Sequence, residues 1–236
     1  FRDAVNEVAD IFDAAEELGR RAVSITDHGN WTRLFEALKE RTKREKKVLE
    51  KALSHAGVSE DEIKAAIKAM GAFDTIRYPN EKMWQFIEKY EDAYIAASQE
   101  IIQFIPGVEM YECLPVENDD HRWHILFLAK DWTGAQALFK LCNLAQLNKH
   151  NDMPRCTVDT MRLFLGKGAP GHGHVIATSA CLSGKISDTL LSRYYLNKKK
   201  EELLASQEKM TVISPEAIRD AEERIREMTE DIAIAN

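Results

Sequence analysis

The sequence predicts an α/β protein, and three observations carry that expectation. Four short apolar runs, at 22–26, 105–112, 123–129 and 174–178, have the length and composition of buried strands. Segments of helical spacing separate them, the alternation of a sheet built from parallel strands and crossover helices. Each run also carries, at or near one end, a side chain able to bind a metal or move a proton: Asp27 and His28, Glu109, His124 and Cys181.

The elements follow in order. Val5, Val8, Phe12, Ala15 and Leu18 recur at helical spacing behind Asp3 as a candidate cap, and Gly19 closes that helix. Ala22-Val23-Ser24-Ile25 is the first strand, opening into Thr26-Asp27-His28-Gly29. Trp31 to Gln103 reads as mostly helix. Leu34, Phe35 and Leu38 suit a core, whereas Glu40 to Lys47 is nearly all charged and is expected in solvent. Ser59 and Glu62 form a capping box ahead of Ile63, Ala66, Ile67 and Met70, with Gly71 as the stop. A third helix carries Met83, Phe86, Ile87, Tyr90, Tyr94, Ala97 and Ile101. Strand pattern resumes around Gly107–Cys113, and a polar loop leads to the His124 strand. The next helix is capped at Thr133 and turns Leu138, Leu141, Cys142 and Ala145 inward. A glycine-rich loop, Gly166 to Gly173, precedes the last strand. Beyond Ser192 the chain is a charged helical tail, with Ser214 as cap, Pro215 in the first turn, and Ile218, Ala221, Ile225, Met228 and Ile232 along one side.

Composition excludes several classes. At 236 residues the chain can bury a sizeable core as one domain with an addition. No apolar run reaches the roughly 18 residues of a membrane span. The four cysteines, at 113, 142, 156 and 181, show no Cys-x-x-Cys spacing, which points to thiols in a reducing, cytoplasmic compartment. A formal net charge of −7 argues against a surface that grips duplex DNA everywhere, so any nucleic-acid contact is expected to be local, with metal ions offsetting phosphate charge.

Several motifs are weighed and set aside. Ser183-Gly184-Lys185-Ile186-Ser187 lacks the earlier glycine and the hydroxyl after lysine that a phosphate-binding loop requires. Lys43-Arg44-Glu45-Lys46-Lys47 and Lys198-Lys199-Lys200 have nearby glutamates and read as solvated faces. His174 reads as the start of a strand and His172 as a loop residue, both structural, and His55, His121 and His150 as surface ones. An Asp-His pair after a strand is most often a hydrogen-bonded turn, and a lone Glu, His or Cys on an apolar run is usually structural. Four unlike ligand types at the edges of four strands are harder to assign to packing, because strands of one sheet converge in space.

These residues carry a family resemblance. Ile25-Thr26-Asp27-His28-Gly29 resembles the Thr-Asp-His-Gly motif of the PHP (polymerase and histidinol phosphatase) domain at the N-terminus of bacterial DNA polymerase III alpha subunits. Gly107-Val108-Glu109 resembles its Gly-x-Glu motif, and His124-Ile125-Leu126-Phe127-Leu128-Ala129-Lys130 its His-Leu-x-x-Leu-Ala-Lys strand. Thr133-Gly134, with Leu138, Lys140 and Leu141, resembles the helix that follows. Met153-Pro154-Arg155 with Asp159 resembles its Lys-Pro-Arg-x-Asp segment, with Met in place of Lys. Gly171-His172-Gly173-His174-Val175-Ile176-Ala177-Thr178-Ser179-Ala180-Cys181-Leu182 is the nearest stretch. The family's opening His-x-His-Thr motif and late Asp-x-His motif have no counterpart, so the resemblance implies a site incomplete in this sequence.

The resemblance implies a distorted (β/α) barrel, incomplete at both ends, with a helical insertion and a helical C-terminal tail. The divisions are 1–38 and 102–192 for the PHP domain, 39–101 for the insertion and 193–236 for the tail. It implies metal-assisted phosphoester hydrolysis with zinc or manganese. Glu109 would bridge ions, His124 and Cys181 would complete one, and His28 would bind another. Asp27 and Glu109 are the implied catalytic residues, Asp27 by orienting His28 or a water. Implied partners are DNA, as a 3′ end or primer-template, and the other polymerase holoenzyme subunits, with no membrane. A catalytically inactive module supporting the polymerase and a free-standing phosphatase acting on a small phosphate ester are the alternatives.

Overall fold

The computed structural model describes residues 6–71, 76, 79–116, 121–209, 219, 222–224 and 226. The expected caps at Asp3 and Ser214, together with Val5, Pro215 and the apolar side of the tail from Ile218 to Ile232, lie outside the described residues.

The four expected strands form one open sheet: β1 (Ala22–His28), β2 (Gln103–Glu112), β3 (Trp123–Ala129) and β4 (Val175–Thr178), ordered β1-β2-β3-β4. The chain is mixed α/β, and the expectation of an all-parallel sheet needs correction. β1 and β2 are parallel, but β2–β3 and β3–β4 are antiparallel. Antiparallel neighbours need no helical crossover, and ten residues of chain separate the end of β2 from the start of β3. The four strands do not close on themselves.

Direction decides where the site falls. β3 runs against β1, β2 and β4, so its N-terminal end lies at the sheet edge where the other three strands end. His124 opens β3, while His28 and Glu109 lie in the later parts of β1 and β2, and Cys181 follows β4. All four reach one edge.

Alternation assigns the two faces. Val23, Phe104, Val108, Met110, Phe127 and Ala129 point to the buried face. Against this face packs α1 (Val8–Glu17), through Val8, Phe12 and Ala15. α6 (Trp132–Leu147) packs beside it, through Leu138, Leu141, Cys142 and Ala145. Expected core residue Leu18 is instead 68% exposed, because α1 has ended by then and Gly19, at φ 62°, turns the chain away. α1 itself is capped by a reciprocal box between Glu7 and Asp10. Thr133 is not the cap of α6; Asp131 is, accepting from the Gly134 N–H at 3.0 Å.

Among the described residues, four helices occupy the stretch between β1 and β2: α2 (Leu34–His55), α3 (Glu60–Ala69), α4 (Glu81–Lys89) and α5 (Glu91–Glu100). The single helix expected over Met83–Ile101 is broken at Tyr90 (φ −129°, ψ 42°), which ends α4 and starts α5. These helices build a core of their own from Leu49, Leu53, Ile63, Ala66, Met70, Met83, Tyr94 and Ala97. α2 runs unbroken across residue 39, its first turns on the sheet's core and its last in this second cluster. Phe35, expected inward, is 64% exposed.

The charged stretch 40–47 is not the solvated run it reads as. Glu45 is 3% exposed, accepts from the Ile76 N–H at 2.8 Å and lies 3.6 Å from Arg41 Nε. Arg44 reaches Asp13 and Glu16 of α1 and Glu40 of its own helix. A helix lying across two clusters must bury part of its polar face, and these pairings meet the cost of doing so.

Two helices complete the description: α7 (Val158–Leu165), where no helix was expected, and α8 (Lys185–Lys209), which begins before Ser192. His55 and His121 are exposed, while His150 is half-buried. No helix among the described residues is long and apolar enough to cross a membrane.

Candidate metal centre

The site face of the sheet presents Ser24, Thr26 and His28 on β1, Gly107, Glu109 and Tyr111 on β2, and His124 and Leu126 on β3. His28 stands directly opposite Glu109 in the parallel register, and Glu109 opposite Leu126, two residues from His124. One carboxylate is thereby set between two imidazoles from different strands.

Glu109 Oε1 lies 3.2 Å from His28 Nδ1 and 2.5 Å from His124 Nδ1. The carboxylate side chain is 15% exposed, that of His124 21% and that of His28 34%. The three residues offer ligand atoms within 4.8 Å of one another, and among the described residues this is the group with metal-site geometry. Glu109 Oε1 is buried and makes no hydrogen bond, although both imidazole nitrogens are near it. Neutral imidazole nitrogens with one carboxylate oxygen suit zinc or manganese, and a tetrahedral ion with ligands at about 2.0–2.1 Å spaces them about 3.3 Å apart. The chemistry of the donor set fits a divalent metal.

Cys181 stands at the rim. Its Sγ lies 3.3 Å from His124 Nδ1, but the thiol is exposed and does not belong to the three-donor group. The loop after β4 sets it there. Ala180 adopts a left-handed φ of 54°, and a Cβ on Gly184 would fall 1.9 Å from the Ser179 carbonyl oxygen, so only glycine allows this closure. The Ser183 carbonyl then accepts from the His124 N–H at 2.9 Å, fastening the loop to the start of β3. The other three thiols are buried. Burial pushes Cys142 up to about 11 and raises Cys156 further, aided by Cys113, Glu112 and Cys142, so neither offers a thiolate near neutral pH.

Asp27 points to the other face. Its Oδ2 accepts from the Arg33 N–H at 2.8 Å, tying the loop after β1 to the start of α2. This bond gives Asp27 a place in shaping the loop, in contrast to the orienting role on His28 that the resemblance implied.

The residue that sequence reading missed is Tyr111. Its ring stacks on His28, with centroids 6.1 Å apart and planes at 12°, and meets His124 edge-on at 5.2 Å. It is 6% exposed and closes the floor between the two imidazoles. The signal was available, since Tyr111 follows Glu109 by two on the same strand and therefore shares its face. His174, read as a structural residue at the start of a strand, pairs through Nδ1 with Asp131 Oδ2 at 2.6 Å, away from the cluster.

Two imidazoles and a carboxylate meet at one edge of a mixed α/β sheet, a group with the composition of a candidate metal site. The chain belongs to the PHP domain family, whose model matches residues 1–233. Membership makes it a metal-dependent phosphoesterase-type module. No curated protein gives a significant match to the chain.

Proposed function

We propose that this chain is the PHP module of a replicative DNA polymerase III alpha-type subunit, with a metal-dependent phosphoesterase site of the 3′–5′ exonuclease kind. The observation that carries the hydrolytic part is the meeting of His28, Glu109 and His124 at one sheet edge. The polymerase context rests on the order and wording of the sequence motifs.

The chain's own residues supply the frame. His28 and His124 would hold a divalent ion from two sides and Glu109 from a third, with Tyr111 keeping the imidazole planes fixed. A bound ion would acidify a water and neutralise charge on a phosphoryl group. Cys181 stands beside His124 as a candidate further donor. The phosphoester must approach from the exposed side of His28, because Tyr111 and the helix-packed face close the others.

A second reading has its own support. Among the described residues three donors converge, enough for one ion, and the proposal of a structural module that buttresses a polymerase accounts for a partial set. The free-standing phosphatase stays open beside both. Two experiments separate them. The complete reading frame should continue into polymerase palm and fingers sequence; a frame ending as a small single-domain protein overturns the polymerase context. The full-length protein with manganese should shorten a 3′-labelled oligonucleotide, with the activity lost in Glu109→Gln. Retained cleavage in that variant overturns the assignment of the site, and no cleavage in the parent favours the structural module.

A further inference from the structure

Resting on the metal-site reading, we infer that Gln146 is a positioning residue for His28, acting through the carbonyl of Gly29. Gly29 follows His28 directly and is held on three sides. Its N–H donates to the backbone carbonyl of Glu109 at 2.6 Å, extending the β1–β2 ladder one rung past the two facing ligands. Its carbonyl accepts from Gln146 Nε2 at 2.5 Å and from the Cys142 thiol at 3.1 Å. Pro154 seals the third side: a Cβ on Gly29 would fall 2.3 Å from Pro154 Cγ, and the residue's φ of 62° itself favours glycine.

Gln146 and Cys142 are four apart on α6 and therefore share a helix face. Two side chains of one helix thus converge on one carbonyl, which fixes the orientation of the Gly29–Asn30 peptide, one unit past the His28–Gly29 peptide. Neither residue belongs to the donor group, and the thiol is a weak donor, so the amide of Gln146 carries most of the restraint. Without it the Gly29 carbonyl keeps only the weak thiol bond, and Gly29, which joins that peptide to the one whose N–H makes the rung to Glu109, is held less firmly, loosening the alignment of His28 Nδ1 with the carboxylate. The clamp joins the end of β1, β2 and the helix behind them.

The test uses Gln146→Met in the full chain, a substitution of like shape without the donor. In metal-free protein, exchange of the Gly29 amide hydrogen should quicken at least about 10-fold, while core amides such as Phe127 keep their protection. In a cobalt(II) titration followed by visible absorption, affinity should fall about 10-fold, the low end for loss of a partner that orients a metal ligand. Glu109→Gln is the control that removes the site. Unchanged Gly29 exchange overturns the clamp whether or not metal binds. Faster exchange with unaltered cobalt affinity and spectrum, in a site that Glu109→Gln abolishes, overturns the positioning of His28. A parent protein whose cobalt binding ignores Glu109→Gln overturns the metal-site reading, and the positioning role with it, while the exchange result still reports on the clamp alone.

Discussion

His28 and Glu109 occupy the same register position in the parallel β1–β2 ladder, their Nδ1 and Oε1 atoms 3.2 Å apart, although four helices separate them along the chain. The pairing fixes the distance between two candidate ligands by backbone hydrogen bonds rather than by side-chain packing. Rigid elements hold a constellation more precisely than loops do, and here two of the three donors lie on adjacent strands and the third starts a third strand.

Glu109→Gln should therefore abolish metal binding while leaving the fold intact. The change is isosteric, and it removes the one anionic donor of the three-residue group. A loss of zinc affinity greater than the roughly 100-fold seen when outer partners are removed is expected. Isothermal titration in a weak competing buffer measures it; affinity within threefold of the parent would show that zinc, if bound, sits elsewhere.

The 236-residue chain alone should show little or no nuclease activity, even with added zinc or manganese. Hydrolysis by clustered ions needs each ion in a fixed place, and the described residues bring three donors together, enough for one. A 3′-labelled oligonucleotide, incubated with the purified chain and either metal, reads this directly. Shortening that disappears in Glu109→Ala would show a working site.

Loosening the helical core between β1 and β2 should leave the metal cluster unaffected. Leu53 is fully buried among Leu49, Ile63, Met70 and Met83, and Leu53→Ala should cost about 2–5 kcal/mol. Because that cluster is separate from the one behind β2 and β3, hydrogen exchange should quicken in α3, α4 and α5 with Val108 and Phe127 still protected. Equal loss of protection in both clusters would mean that they unfold as one unit.

The capping pair Asp131–His174 should make stability sensitive to acid. His174 holds the Asp131 carboxyl below its ordinary value, with the Gly134 N–H adding to the effect. A lowered folded-state pKa means stabilisation that is present above the unfolded value near 4 and is lost as pH falls through the folded one. Asp131→Ala should lower Tm at pH 7, and the gap to the parent should shrink below about pH 4. A gap that stays constant down to pH 2.5 would assign the effect to packing.

Much of the architecture was legible in the chain. All four strands stand where short apolar runs place them, and Ser59 is the cap residue of α3, although the expected box does not form: Ser59 makes no side-chain cap bond and meets the Glu62 carboxylate at 3.0 Å instead. The failures share a cause. Phe35 and Leu18 fit a helical stripe locally, but which way a stripe faces depends on what lies beside it. Glu45 looks solvated until Ile76 and Arg41 are brought around it.

Sequence by itself determined the residue types of the site, the strand edges that carry them and the glycines at 29 and 184 that permit tight turns. Composition, period and turn chemistry are local properties, and a local window contains them. Only the tertiary structure decided that β3 runs backwards, which puts His124 at the edge where Glu109 and His28 stand. Strand direction is set by which neighbour a strand pairs with, and no window around His124 contains that neighbour. The same holds for Tyr111 between the imidazoles and for Gln146 on the Gly29 carbonyl: each acts through a contact with a segment far away in the chain.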